Sequence, residues 1–249
     1  YGNDLGFIPR VNYAKTWTNV SYRWWPESWI INWGPRVDYN WLYDYEGDLQ
    51  EANFGLNFQA TFAENIRASA TVSRVMERFL EQDFFKSRLS LSADVNTSRR
   101  VSFSVRMNQG DEIRFVESPF LGRTVGYSLS STLRPFPRLQ SQLRFNTTRF
   151  TEFGTGAEVF DIKIVDARTT YQFTERLLIR NILEQNTLDK TLGVNLLITY
   201  RMNAGTVFFV GYDDRFRQGD RIDPERYGTD VYQRTNRAIF SKVQYLFRN

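Results

Sequence analysis

The alternation of apolar and polar residues over positions 51–73 constrains the fold of this chain more than any other feature. Every second residue is apolar from 52 to 62, and the same period returns from 66 to 72. A period of two is typical of a β-strand with one apolar and one polar face. The polar residues at 63–65 predict a turn between the two runs, so the stretch is expected to form an antiparallel hairpin.

The alternation leaves open which face of the hairpin meets water. In a soluble β-sandwich the apolar face forms the core. In an outer-membrane barrel the apolar face contacts lipid, and the polar side chains line the lumen. Features elsewhere in the chain have to decide between these two architectures.

The composition excludes several classes of function. The 249 residues contain no Cys and no His. The chain therefore lacks disulfides, thiolate metal sites, the usual general base and the commonest metal ligand. We expect no enzymatic activity, no cofactor and no metal site, and we assign no catalytic residue. The 32 basic and 28 acidic residues are dispersed and leave a net charge of only +4, so no nucleic-acid partner is expected.

The spacing of the turns favours the barrel. Strand-like alternation recurs along the chain and predicts about thirteen strands. The turns fall into two alternating classes, one short (near positions 26, 64, 98, 136, 175 and 204) and one longer (near 47, 82, 115, 154, 187 and 225). Outer-membrane barrels have short periplasmic turns on one rim and longer extracellular loops on the other, whereas a Greek-key sandwich gives no reason for this asymmetry. The hairpin turn at 63–65 is therefore expected at the periplasmic rim.

Several local expectations accompany this interpretation. The first strand is predicted over residues 16–25. Gly34 and Pro35 predict a bulge or kink in the second strand, because proline cannot donate to a strand ladder. Residues 109–123 and 213–236 are polar or charged and contain glycine, which predicts two long loops.

These patterns predict an all-β fold, an antiparallel up-and-down transmembrane β-barrel of the outer-membrane type. Bacterial single-chain barrels have an even number of strands, so we expect about 14 or more strands in the complete barrel. Residues 1–249 are expected to form a single β-barrel domain, the C-terminal part of a longer barrel protein. At least one further strand is then expected before Tyr1 or from a separate source. A soluble β-sandwich is the structural alternative.

Three stretches of the sequence also carry a family resemblance. They are NDLGFIPR at 3–10, GYDDRF at 211–216 and FSKVQYLFR at 240–248. These stretches resemble a family of outer-membrane barrel domains of unknown function, found C-terminal to a family 9 carbohydrate-binding-like domain. The resemblance implies a preceding periplasmic domain. It implies no established catalytic residues, so no site is carried over from it.

Arginine recurs on the polar faces of the predicted strands, which would line the lumen of a barrel. These side chains either form a basic pore lining that favours anionic solutes, or pair with lumen carboxylates such as Asp38, Asp44, Glu51 and Asp94 and hold the barrel rigid. The eight candidate lumen-lining residues are Arg23, Arg67, Arg88, Arg106, Arg144, Arg168, Arg180 and Arg201.

Two other clusters each allow two interpretations. All six tryptophans lie between Trp17 and Trp41, which predicts either an aromatic girdle at the membrane interfaces or a platform that stacks against sugars. The acidic residues of 213–230 could supply oxygen ligands to calcium. Their spacing does not match an EF-hand, so a solvated loop is the simpler interpretation.

The expected function follows from the barrel. We predict location in the cell outer membrane, in contact with the lipid bilayer and lipopolysaccharide. The last strand alternates Val243, Tyr245 and Phe247, which indicates either a signal for the outer-membrane assembly machinery or an ordinary amphipathic strand. The predicted role is a pore or transport channel for small solutes, oligosaccharides among them. The alternative is a non-conducting membrane anchor or a structural component of an envelope complex, with other envelope proteins as partners.

Overall fold

In the described part of the chain, thirteen antiparallel strands form one sheet in which every strand pairs with its neighbours in sequence. The computed structural model describes residues 13–26, 28–222 and 225–246, without the side chains of 220–222 and 225–230. The strands are β1 (Tyr13–Ser21), β2 (Ile30–Asp44), β3 (Leu49–Phe62), β4 (Ile66–Phe79), β5 (Gln82–Val95), β6 (Val101–Arg114), β7 (Phe120–Leu133), β8 (Leu139–Glu152), β9 (Glu158–Gln172), β10 (Leu177–Asn186), β11 (Thr191–Arg201), β12 (Thr206–Ile222) and β13 (Glu225–Tyr245).

The predicted all-β, up-and-down antiparallel fold is confirmed, but the sheet is not closed into a barrel. Within the described ranges, β1 pairs only with β2, and β13 pairs only with β12. The predicted closed barrel is therefore not formed by these thirteen strands. In those ranges no helix has the length and apolar character needed to cross a membrane.

Residue contacts divide the chain into two compact units. Unit 1 comprises Tyr1–Ala93, Met107–Val125 and Phe150–Ala157, and unit 2 comprises Asp94–Arg106, Gly126–Arg149 and Glu158–Asn249.

The connections between strands are short on both sides of the sheet. Between β2 and β12 they span two to five residues, whereas β1 and β2 are separated by residues 22–29. The predicted alternation of short turns and long loops is therefore wrong, and the assignment of the periplasmic rim loses that support. Both predicted loops are wrong as well, because most of 109–123 continues β6 and β7, and nearly all of 213–236 belongs to β12 and β13. Polar and charged residues can satisfy their backbone groups in an extended ladder, so their composition does not exclude a strand.

The entry into β2 also differs from expectation. Gly34 and Pro35 pair in regular register with Gln59 and Phe58, so the kink predicted there is wrong. The register shifts lie instead between Ile30 and Asn32 and between Leu42 and Tyr43.

Gly34 has a steric role instead. A Cβ at Gly34 would lie 1.9 Å from the carbonyl oxygen of Tyr22. The missing side chain lets the segment after β1 close on β2. β1 itself ends at Ser21, short of the predicted 16–25, and Trp24 forms an isolated bridge with Trp33.

The hairpin predicted over residues 51–73 is formed and separates two faces. β3 and β4 are joined by a single 3-10 turn at Ala63–Asn65. Leu56 pairs with Val72, and Asn57 with Thr71, so apolar residues share one face and polar residues the other. We call these the apolar face and the polar face.

The apolar face is the exposed one. In unit 1, Leu56 and Val72 are 47% and 56% exposed. On the polar face, the side chain of Asn57 is half-buried and donates a hydrogen bond to Thr71 Oγ1 at 2.7 Å. In unit 2, the paired residues Tyr200 and Phe208 lie on the corresponding face of β11 and β12 and are 43% and 38% exposed. Each unit therefore exposes apolar side chains, and in unit 1 polar side chains contact each other on the opposite face.

Candidate functional site: the polar face of the sheet

A buried charge cluster lies on the polar face of unit 1. Lys86, on β5, is 2% exposed, and its Nζ donates to the carboxylate of Glu77 and lies 3.5 Å from Glu112 Oε1. The other carboxylate oxygen of Glu112 accepts a hydrogen bond from Arg88. A buried ammonium group is costly unless carboxylates neutralise it, and here two do so. We call Glu77, Lys86, Arg88 and Glu112 the Lys86 cluster.

Buried apolar side chains also lie on the polar face of unit 1. Strand alternation places Phe84, Lys86 and Arg88 on one face of β5. Phe84 is 8% exposed, and Leu42 and Val75, on the polar face of β2 and β4, are 6% and 8% exposed. Sequence reasoning missed this cluster, because it did not single out Lys86. The only available signal was the apolar residue at 84 on an otherwise polar face.

A cavity of about 250 Å³ adjoins the cluster, between β5, β6 and β7. Arg88, Ser90, Asn108, Gly110, Glu112 and Thr124 contribute to its lining.

The polar groups of this lining are only partly satisfied. Ser90 Oγ donates to Asn108 Oδ1 at 2.8 Å, which leaves the Asn108 amide hydrogens available. Thr124 Oγ1 is buried and has no hydrogen-bond partner. Gly110 allows close approach of the strands, because a Cβ there would lie 2.8 Å from Arg88 Cγ.

The eight arginines predicted to line a lumen are not gathered into one site. Arg23 lies in the connection between β1 and β2, where its guanidinium is 6.0 Å from the centroid of the Trp25 ring. Arg168 and Arg180 are neighbours on β9 and β10, because Arg168 pairs with Ile182 and Arg180 with Thr170. Arg67, Arg88, Arg106, Arg144 and Arg201 lie on β4, β5, β6, β8 and β11.

Only one of the eight, Arg88, has a carboxylate partner in the part of the chain that the structure describes. Asp38 pairs instead with Arg36 at 2.6 Å. Asp44 accepts a hydrogen bond from the backbone N–H of Asp48 at 2.8 Å. The expected pairing of the arginines with Asp38 and Asp44 is therefore not formed. In unit 2, Arg180 Nε is buried without a hydrogen-bond partner.

The acidic segment predicted as a loop contributes ion pairs within β12 and between β12 and β13. In unit 2, Asp214 accepts hydrogen bonds from Tyr212 at 2.7 Å and from Arg234 at 2.8 Å. Asp213 pairs with Arg215 at 3.1 Å. Among the described residues, no group of three or more His, Cys, Asp or Glu is placed to hold a metal ion.

Charged residues mark one end of the apolar face. In unit 1, Arg74 is exposed and pairs with Phe54 on that face. In unit 2, alternation along β9 leads from apolar residues to Lys163 and Asp161, which pair at 3.2 Å. Asp161 also accepts a hydrogen bond from Arg149, at 3.1 Å.

Aromatic pairs lie at both ends of the apolar face. In unit 1, Trp29 stacks on Phe62 at the end opposite Arg74, with ring centroids 5.2 Å apart. Tyr39 contacts Trp41 at 4.8 Å beside Phe54, at the Arg74 end. In unit 2, Tyr171 contacts Phe173 edge-on at 4.4 Å. Trp17 departs from this pattern, because it pairs with Asn40 on the polar face.

Comparison with known proteins identifies a family for the chain. A family model described as a domain of unknown function, DUF5916, matches residues 1–193. A comparison with curated proteins finds no match. The matched segment covers well over half of the 249 residues. The chain therefore belongs to the DUF5916 family, a domain of unknown function.

Proposed function

We propose that this chain is the main part of an outer-membrane β-barrel that forms a pore for small polar solutes. The inverted sheet carries the proposal: apolar side chains such as Leu56 and Val72 are exposed, while polar ones contact each other on the opposite face. A continuous exposed apolar surface is unfavourable in water but matches the hydrocarbon core of a bilayer. The wall of an outer-membrane barrel has this arrangement.

The dimensions of the apolar face agree with a membrane span. On β9 and the residue that follows it, the apolar-face positions from Val165 to Phe173 carry no charge and span nine residues. The charged Lys163 precedes them on the same face. A tilted membrane strand needs about 9–11 residues. The aromatic pairs at the two ends then correspond to interfacial girdles, and the charges at one end to the polar headgroup level.

The strands project beyond the apolar face on the side of the charged residues. β4 starts with apolar Ile66 directly after the turn but continues for five residues past Arg74. Longer projections are typical of the extracellular side, so the turn at Ala63–Asn65 faces the periplasm in this proposal. On this side the chain forms extended strands instead of the long loops that the sequence predicted.

Conduction requires the sheet to be completed by further strands, because a membrane barrel leaves no free edge. The full-length protein is therefore reconstituted into planar bilayers. We expect stable single-channel steps, with anions favoured because most of the candidate arginines have no carboxylate partner in the described residues.

Arginine variants test whether residues of the polar face determine the ion selectivity of the pore. Replacing both Arg168 and Arg180 with Gln is expected to lower the preference for anions. The matched control is Arg149→Gln, because Arg149 pairs with Asp161 at the end of the apolar face. If both changes alter the anion preference equally, Arg168 and Arg180 do not set the selectivity of the pore. A membrane-inserted protein that shows no channel steps would contradict the pore proposal.

A non-conducting membrane anchor is the second candidate. The buried residues Leu42, Val75, Phe84 and Lys86 favour it, because they fill part of the polar face of unit 1. An anchor would resist extraction without detergent, as a pore would, and yet show no conductance. Release of the protein from cells without detergent would contradict both.

A further inference from the structure

The cavity beside the Lys86 cluster offers both hydrogen-bond donors and acceptors to a ligand. The donors are the amide of Asn108 and those nitrogens of Arg88 that do not contact Glu112. The hydroxyl of Thr124 can donate or accept, and its oxygen is buried without a partner. A buried polar atom without a partner costs free energy that a bound ligand recovers.

The local charges argue against an ionic ligand. In the Lys86 cluster, the two cations Lys86 and Arg88 are matched by the carboxylates of Glu77 and Glu112. An anion would compete with these carboxylates for Lys86 and Arg88, and a cation would compete with Lys86 and Arg88 for their carboxylates.

We propose that this cavity binds a small, neutral, polyhydroxylated solute. Its hydroxyl oxygens accept hydrogen bonds from Arg88 and Asn108, and its hydroxyl hydrogens bond to Thr124 Oγ1 and the carboxylate of Glu112. The volume of about 250 Å³ suits a single sugar-sized ring rather than a chain of rings. The inference rests on the proposed pore only for the passage of such a solute, because binding itself can be measured without a membrane.

The test uses the full-length protein in detergent micelles, with glucose as the probe and ligand-observed saturation-transfer NMR as the readout. We expect saturable binding that Thr124→Val weakens about tenfold, because the variant keeps the side-chain volume but removes the hydroxyl. The control is Thr132→Val on the same strand, since Thr132 lines a separate cavity. It should bind glucose as the wild type does, and circular dichroism should show both variants folded.

Glucuronate, which has the size of glucose but carries a carboxylate, tests the charge argument. We expect it to bind at least tenfold more weakly than glucose. Glucuronate binding as tight as that of glucose, unchanged binding in Thr124→Val, or no glucose binding by the wild type would each overturn the inference. Channel recordings are independent of this assay, so loss of the pore proposal would leave a positive binding result intact.

Discussion

At the scale of single residues, Lys86 is the charge that depends most on its neighbours. Its side chain is 3% exposed and lies between the carboxylates of Glu77 and Glu112. We expect Lys86→Met to destabilise the fold by about 3 kcal/mol, because removing one partner of a buried pair leaves the other charge uncompensated. Denaturant unfolding in detergent micelles, followed by tryptophan fluorescence, measures the loss.

A double variant separates the charge effect from packing. Lys86→Met combined with Glu77→Gln removes the uncompensated carboxylate and should recover part of the lost stability. If the double variant is as unstable as the sum of the two single variants, the pairing in the Lys86 cluster does not account for the effect.

Neighbouring residues on β4 test the assignment of the two faces. Ala70 lies on the apolar face opposite Phe58, near the middle of the apolar stretch of β3. In a bilayer, Ala70→Arg should cost about 2–4 kcal/mol, because the guanidinium enters the hydrocarbon layer. Thr71→Arg, on the polar face, should cost about 1 kcal/mol, mainly through loss of the hydrogen bond from Asn57.

Folding into lipid vesicles with urea as denaturant gives both free energies. Equal costs for the two arginines would contradict the inverted arrangement of the faces.

At the scale of elements, the β4–β5 hairpin contains an ion pair that responds to acid. The pKa of Asp83 is lowered, mainly because the Arg78 guanidinium donates a hydrogen bond to its carboxylate at 2.7 Å. A lowered pKa stabilises the fold while the carboxylate is ionised. This contribution is fully present above the ordinary aspartate pKa of about 4 and is lost as the pH falls through the lower folded value.

Hydrogen exchange measures this acid response. After correction for intrinsic exchange rates, the β4–β5 amides should open more easily below about pH 4 than at pH 6. Asp83→Asn should abolish the difference between the two conditions. If the pH response persists in this variant, another titratable group causes it.

The elements also show which parts of the fold local sequence patterns predict. The hairpin at 51–73 and its turn at 63–65 agree with prediction, because alternation and turn residues are local properties of the chain. The loops predicted at 109–123 and 213–236 are mainly strand, because each ladder continues wherever the neighbouring strand offers backbone partners. Polar composition carries no information about that neighbour.

At the scale of the whole molecule, the absence of cysteine allows a direct test of what covers the apolar face. Single cysteines are introduced at Val210, which is 48% exposed on the apolar face, and at Glu81, in the connection between β4 and β5. In lipid vesicles a water-soluble maleimide should label position 81 and not position 210, because lipid excludes the reagent. Both positions should react after denaturation, and rapid labelling of position 210 in vesicles would contradict membrane insertion.

The sequence by itself determined the all-β class, the antiparallel meander and the separation of apolar from polar faces. These properties follow from a period of two and from turn residues, which each segment carries without reference to the others. It also singled out Arg88 as one member of a set of eight, without distinguishing it from the rest.

Only the tertiary structure decided how long the strands are, that Lys86 is buried between two carboxylates, and that Thr124 faces a cavity without a partner. Each of these depends on which residues of adjacent strands come to lie side by side. That register is set by the pairing of each strand with the next strand along the chain, so no single segment encodes it.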